Sequence, residues 1–178
     1  MKLLKDILYG VRLKAVTGST AIEIGQVQFD SRKVANNDLF VAIKGGTVDG
    51  HAFLEQVIKA GATAIICEEL PGKLHDEVTY VQVDNSKTAL AVIAANYHNN
   101  PSKDLKLIGV TGTNGKTTVS TLLYDLFKKA GYKVGLISTI KIMVDDQDYE
   151  TSHTTPDPMT INHHLSLMAV EGVEFCFM

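Results

Sequence analysis

Residues 105–118 constrain this chain most. They read Leu105-Lys106-Leu107-Ile108-Gly109-Val110-Thr111-Gly112-Thr113-Asn114-Gly115-Lys116-Thr117-Thr118, an apolar run that passes through closely spaced glycines into a Lys-Thr pair. Val119, Leu122, Leu123, Leu126, Phe127 and Ala130 follow at spacings of 3, 4, 7, 8 and 11, so a helix from about Lys116 is predicted to bury that face, with Gly131 as its stop. A buried strand at Leu105 to Val110, a glycine turn and a helix start make a nest of inward-pointing amides. The partial positive charge of the helix N-terminus adds to it. Such a nest suits a polyphosphate. Lys116 is placed to reach the β- and γ-phosphates of such a ligand, and the Thr117 hydroxyl to ligate Mg²⁺. Gly112, Thr113, Asn114, Gly115, Lys116, Thr117 and Thr118 are therefore the expected nucleotide-binding residues, Lys116 the expected catalytic one and Thr117 the expected metal ligand. The general phosphate-loop pattern asks for glycine six places before the lysine, and Val110 stands there. Only the Gly-Lys-Thr end matches it, and the bland alternative is a tight strand-to-helix turn with an incidental lysine.

Around this loop, strand-like and helix-like stretches alternate from about Gln26 onward, the pattern of an α/β architecture. Leu39 to Ile43, Thr63 to Cys67 and Val78 to Val83 are predicted strands. His51 to Ala60 is a predicted helix with Phe53, Leu54, Val57 and Ile58 on one stripe and Gly61 as its stop. Asn85 or Ser86 is expected to cap a helix carrying Ala89, Leu90, Ile93, Ala94 and Tyr97. The polar stretch Asn99-Asn100-Pro101-Ser102-Lys103-Asp104 divides two αβ blocks and reads as a linker, giving domains 1–102 and 103–178. In the second block, Val134 to Ser138 is a predicted strand. Asp157 and Pro158 open a helix with Ile161, Leu165, Met168 and Ala169 inward, and Glu174 to Met178 is a last strand. A chain that stops in a buried strand is expected to continue in a longer protein.

The bulk properties exclude several classes. A formal charge of -3 gives no broad footprint for nucleic acid. The longest apolar runs fall far short of the roughly 20 residues that span a bilayer, and Met1-Lys2-Leu3-Leu4-Lys5-Asp6 lacks a signal peptide's apolar stretch, which points to the cytoplasm. Cys67 and Cys176 each sit in an apolar run and read as buried packing residues. His163 and His164 are adjacent on a helix and cannot chelate one ion together. With His153, they give no metal site, and the helical pair reads as solvated surface.

The string Gly112-Thr113-Asn114-Gly115-Lys116-Thr117-Thr118 resembles the loop of Mur ligases and of the related folylpolyglutamate synthetases. Upstream, Phe29-Asp30-Ser31-Arg32-Lys33-Val34, then Asn37-Asp38-Leu39-Phe40-Val41-Ala42-Ile43-Lys44-Gly45, Asp49-Gly50-His51 and Ala60-Gly61-Ala62 resemble the N-terminal uridine-nucleotide domain of the MurE and MurF types. Asp30, Ser31 and Arg32 offer a carboxylate, a hydroxyl and a guanidinium to one ligand, or else form a turn with a solvated arginine. Ser152-His153-Thr154-Thr155-Pro156-Asp157 resembles the segment that MurE-type enzymes place near the muramoyl part of the substrate, although Thr154 and Thr155 could instead serve only the helix start.

The resemblance implies a mixed α/β domain that binds a UDP-substrate, followed by the beginning of a phosphate-loop central domain. It implies substrate contacts at Phe29, Ser31, Gly46, Thr47, Val48, His153, Thr154 and Thr155. The cofactors it implies are ATP and Mg²⁺. The partners are UDP-MurNAc-L-Ala-D-Glu and an amino acid, diaminopimelate or lysine, joined through an acyl phosphate by an enzyme expected to be a monomer. Further Mg²⁺ ligands, a carbamylated lysine and the amino-acid domain lie downstream in that family, so these 178 residues alone are expected to be inactive. The alternatives are a MurF-type or folylpolyglutamate-like ligase, and a non-catalytic nucleotide-binding module.

Overall fold

Runs of β-branched and aromatic residues set the strands in a computed structural model of the chain, which describes residues 1–46, 48–149 and 156–178. The chain divides into two units, Met1–Tyr97 and His98–Met178.

The first unit opens with β1 (Lys2–Leu3), α1 (Leu4–Ile7), β2 (Leu13–Thr17), β3 (Glu23–Ile24) and β4 (Val27–Gln28). It continues through β5 (Leu39–Val41), α2 (Leu54–Lys59), β6 (Ala64–Cys67), β7 (Thr79–Val83) and α3 (Ser86–Tyr97). The main sheet has the order β2-β7-β6-β5-β4, and β1 and β3 make a small antiparallel ribbon. Strands β4 to β7 are parallel, in register Val27↔Leu39, Leu39↔Ala64 and Ala64↔Thr79, while the edge strand β2 runs antiparallel to β7. Phe40, Ile65, Cys67 and Tyr80 alternate onto the face that meets Leu54 and Val57 of α2. A parallel sheet covered by helices places its loops at the carboxyl ends of the strands, where ligands bind in such folds. The loops after β4 and β5 are the relevant ones here.

The second unit contains β8 (Lys106–Ile108), α4 (Lys116–Lys129), β9 (Val134–Ile137), β10 (Ile142–Val144), β11 (Gln147–Tyr149), α5 (Pro158–Val170) and β12 (Phe175–Phe177). Its sheet order is β11-β10-β9-β12-β8, with β8, β12 and β9 parallel and β10 and β11 added antiparallel. Phe177, Val134 and Leu136 face Tyr124 of α4, whereas Cys176 and Ile137 face Leu165 and Met168 of α5. The period of two along the strands thus sorts one sheet between two helices.

Several expectations need correction. The burial predicted for one face of α4 is met only in part: Leu123 and Phe127 pack as expected, but Val119, Leu122 and Leu126 are 45%, 62% and 60% exposed, and Ala130 is exposed as well. The packed stripe is Ser120, Leu123, Tyr124 and Phe127. Ser120 lets the helix approach the sheet closely, and Tyr124 buries its ring while its hydroxyl bonds to the Asp145 carbonyl oxygen. The predicted helix from His51 starts as a 3-10 turn at Gly50–Phe53 and becomes α-helical only at Leu54. The hairpin β10–β11 and the elements before Gln26 were not anticipated. The strand expected to be buried at Leu105 to Val110 is the edge strand β8, with Lys106 and Leu107 exposed. The expected helix ends hold. Asn85 caps α3 through the Thr88 amide at 2.9 Å, and Asp157 caps α5 by accepting from Met159 and Thr160. Gly61 ends α2 with a φ of +103°.

Candidate functional site

The second unit brings the glycine loop to the N-terminus of α4. Gly115 is its N-cap residue at φ 79°, ψ -3°, a left-handed conformation that glycine adopts without strain, and no side chain caps the helix. The amides of Lys116, Thr117 and Thr118 therefore have no acceptor within the helix. Asp157 neutralises the corresponding end of α5, so the contrast between the two helices lies in what their first turns leave open. Thr113, Asn114 and Lys116 are exposed. The Lys116 ammonium reaches back over the loop to donate to the Gly112 carbonyl oxygen, which puts its charge above the nest.

Beside the loop lies a cleft of about 150 Å³ lined by residues including Val110, Lys116, Thr117, Ser120, Ser138 and Thr139. The Thr117 and Thr139 hydroxyl oxygens are 3.4 Å apart. Ser138 is held by its own turn: its hydroxyl donates to the Lys141 carbonyl oxygen at 2.8 Å and accepts from the Lys141 amide at 3.1 Å. Sequence reasoning missed Ser138 and Thr139, because a Ser-Thr pair after a strand reads as an ordinary turn. A bare helix terminus, an exposed ammonium and a hydroxyl on the first turn together fit a polyphosphate carrying a divalent cation.

In the first unit, a cavity of about 580 Å³ opens at the carboxyl ends of β4 and β5. Phe29, Asp30, Ser31, Arg32, Ile43 and Val48 line it, with Phe40, Phe53 and Gln56 at its base and side. Of the expected substrate residues, Phe29, Ser31 and Val48 are thus brought together. Gly46 is exposed and does not line the cavity. Thr47, His153, Thr154 and Thr155 lie outside the described residues. Asp30 is not an independent ligand group: it receives the Arg32 Nε and Nη2 at 2.9 and 2.7 Å and the Arg32 amide at 3.1 Å. Those bonds, side chain first, pull its carboxyl down to about 2. Buried Asp38 holds the loop behind them, accepting from the Gln26 and Ala35 amides at 2.9 Å each.

The remaining candidates play no part in either site. Cys67 and Cys176 are fully buried and burial pushes their thiols up to about 11 and about 12. His163 is exposed, as expected. His164 is half-buried and bonded to the Thr160 carbonyl oxygen at 2.8 Å, so it is not merely solvated. No cluster of three or more His, Cys, Asp or Glu suited to a metal occurs among the described residues.

Residues 110–178 match the family description "Mur ligase middle domain", and residues 23–98 match "Mur ligase family, catalytic domain". A UDP-N-acetylmuramoyl-L-alanyl-D-glutamate--2,6-diaminopimelate ligase of Bacteroides fragilis is 50% identical over 175 residues, which take in 98% of this chain and 36% of the relative. The enzyme of the same name from Bacteroides thetaiotaomicron is 48% identical over 176 residues, 99% of this chain and 36% of its own length. The chain therefore spans about a third of the curated relatives it matches. Among solved structures, a UDP-N-acetylmuramoyl-L-alanyl-D-glutamate--2,6-diaminopimelate ligase aligns with a TM-score of 0.74 at 22% identity, over 98% of this chain and 35% of that one. A MurF ligase from Thermotoga maritima in complex with ADP aligns with a TM-score of 0.52 at 27% identity, over 85% and 31%.

Proposed function

Because the chain belongs to the Mur ligase family, we propose that it carries the phosphate loop and the UDP-substrate cavity of an ATP-dependent ligase of peptidoglycan synthesis. The enzyme adds diaminopimelate to UDP-MurNAc-L-Ala-D-Glu, a choice over lysine and over a MurF-type reaction that the names of the relatives support. It works in the cytoplasm as a monomer and uses no nucleic acid. Among the described residues no helix is long and apolar enough to cross a membrane.

The single observation that carries the reading is the uncapped start of α4, with Gly115 left-handed, Lys116 folded over the loop and Thr117 on the first turn. Mg²⁺–ATP, when bound, supplies the phosphoryl group that activates the substrate carboxylate for attack by an amine. The residues of this chain position and neutralise. The amides of residues 113–118 would hold the phosphates, Lys116 would offset charge that develops as the phosphoryl group moves, and the Thr117 hydroxyl would be a ligand for the cation. In the first unit, Phe29 and Val48 supply apolar walls, while Ser31 and Arg32 supply the polar contacts of a sugar nucleotide. His153, Thr154 and Thr155 are assigned to the muramoyl part.

The test is calorimetric titration of Mg²⁺–ATP into the protein and into Lys116→Ala. Loss of roughly tenfold or more in affinity with an unchanged melting curve is expected, since Lys116 is exposed and, among the described residues, its ammonium bonds only to the Gly112 carbonyl oxygen. A folded variant that binds ATP as tightly as the parent would sink the assignment.

A further inference from the structure

His51 sits at the foot of the loop that walls the first unit's cavity, and both of its ring nitrogens are engaged. Nδ1 lies 2.7 Å from Asp49 Oδ1, and the backbone amide of Glu68 donates to Nε2 at 2.9 Å. An amide can only donate, so Nε2 must accept, and the proton of the neutral ring must sit on Nδ1, facing the carboxylate. The side chain is 13% exposed, which leaves the ring no competing bonds to water along most of its surface.

The loop it serves is a narrow hairpin. Gly50 donates to the Ile43 carbonyl oxygen at 2.9 Å, Gly45 donates to the Val48 carbonyl oxygen at 3.0 Å, and Lys44 and Asp49 form an antiparallel bridge. At Gly50 the strands approach so closely that a Cβ would stand 2.7 Å from the Ile43 nitrogen. Ile43, Val48 and Gly50 from this hairpin all line the cavity. Two ties run from it to the end of β6. One is the Lys44–Glu69 ion pair at 2.7 Å, with side chains 44% and 76% exposed, which solvent weakens. The other is the His51 ring on the Glu68 amide.

Glu68 is itself a fixed post. Its carboxylate accepts from the Ser86 amide at 2.9 Å, and its carbonyl oxygen accepts from Gln82 Nε2 at 3.0 Å. Because Nε2 accepts from an amide, the ring is a neutral connector, set beside the charged groups of Asp49 and Glu69. We infer that His51, as its Nδ1–H tautomer, is a positioning residue for the nucleotide-sugar site: it fixes the Ile43–Gly50 wall against β6 without touching the ligand. This role rests on the reading of the cavity as the UDP-substrate site.

The amide of a glutamine falls where Nε2 lies and can still accept from Glu68, whereas an asparagine reaches only as far as Nδ1 and keeps only the Asp49 contact. The probe is uridine diphosphate, titrated into the parent protein, His51→Gln and His51→Asn. The parent's ring tautomer is read from long-range proton–nitrogen NMR correlations. The expected results are an Nδ1–H signature in the parent, affinity within about threefold in His51→Gln, and a loss of roughly tenfold in His51→Asn, the size of one hydrogen bond. Hydrogen exchange at the Glu68 amide should accelerate in His51→Asn and not in His51→Gln. An Nε2–H signature, or equal affinity in all three proteins, overturns the role of His51 alone. A parent that does not bind uridine diphosphate overturns the cavity assignment and the role with it.

Discussion

The hydroxyl of Tyr124 donates to the backbone carbonyl oxygen of Asp145 at 2.6 Å, tying the helix that begins after Gly115 to the turn between β10 and β11. Asp145 takes a left-handed φ of 50°, and Lys128, one turn along α4, meets the carboxylates of Asp145 and Asp146. Those two hydrogen bonds hold the Lys128 ammonium above its usual range, and burial raises the Tyr124 phenol. Tyr124→Phe should destabilise the second unit by about 1 kcal/mol, the net value of a hydrogen bond, because the carbonyl is left short of its partner. Lys128→Met should cost less than about 1 kcal/mol, since its side chain and that of Asp145 are 29% and 30% exposed. Denaturant melts at low and high salt separate the two: only the Lys128 effect should shrink with salt.

Gly115 is the position in the loop whose backbone most clearly needs glycine. At φ 79°, Gly115→Ala should cost about 1–2 kcal/mol, and it should lower Mg²⁺–ATP affinity by displacing the amides of the first turn. Gly109→Ala makes the control, because a Cβ there meets nothing within 4 Å. Equal melting temperatures for the two variants would show that the left-handed turn carries no strain.

A Cβ on Gly135 would lie 2.4 Å from Met168 Sδ and 2.7 Å from its Cε. Met168 is fully buried, so its flexible end has only core to move into. Gly135→Ala should destabilise by about 1–3 kcal/mol through overpacking. Shortening the partner in Gly135→Ala with Met168→Ala should recover part of that loss, giving a coupling energy above roughly 0.5 kcal/mol in a double-mutant cycle. Additive effects would mean that α5 moves away freely.

Asp30 offers a pH test. Its carboxyl is held at about 2 against an ordinary 3.8, first by the side-chain and then by the backbone hydrogen bond from Arg32. A depressed carboxylate contributes stability that is complete above 3.8 and is lost as pH falls through about 2. Arg32 is 83% exposed, so the contribution is small and salt-sensitive. Carboxyl carbon shifts should place the midpoint near 2 in the parent and return it toward 3.8 in Arg32→Ala. An unmoved midpoint would show that the pair does not form in solution.

The sequence announced the glycine turn before α4, the strands β5, β6 and β7 and the caps at Asn85 and Asp157, because each rests on local chemistry: a glycine, a polar cap, a continuous apolar run. The orientation of α4 was not legible. Its strongest apolar stripe, Val119–Leu122–Leu126, competes with a stripe of Ser120, Tyr124 and Phe127, and only the depth of the sheet's surface decides between them. A small serine that permits close approach and a tyrosine whose hydroxyl finds a carbonyl both look polar in a one-dimensional pattern. The hairpin at Asp145 was hidden for a related reason, since its turn is stabilised by Tyr124 and Lys128, some twenty residues earlier in the chain. In the first cavity Phe29, Ser31 and Val48 were legible and the ring of His51 was not, because its partner is a backbone amide that no side-chain pattern records.

Both native thiols lie in the cores of their units, pushed up to about 11 and about 12, where neither maleimide nor disulfide reagents can reach a thiolate at neutral pH. The chain is thereby ready for site-directed labelling without first removing cysteines. A fluorophore attached through a cysteine introduced at exposed Val48 would be the sole dye on the folded protein, reporting ligand entry at the cavity wall in real time.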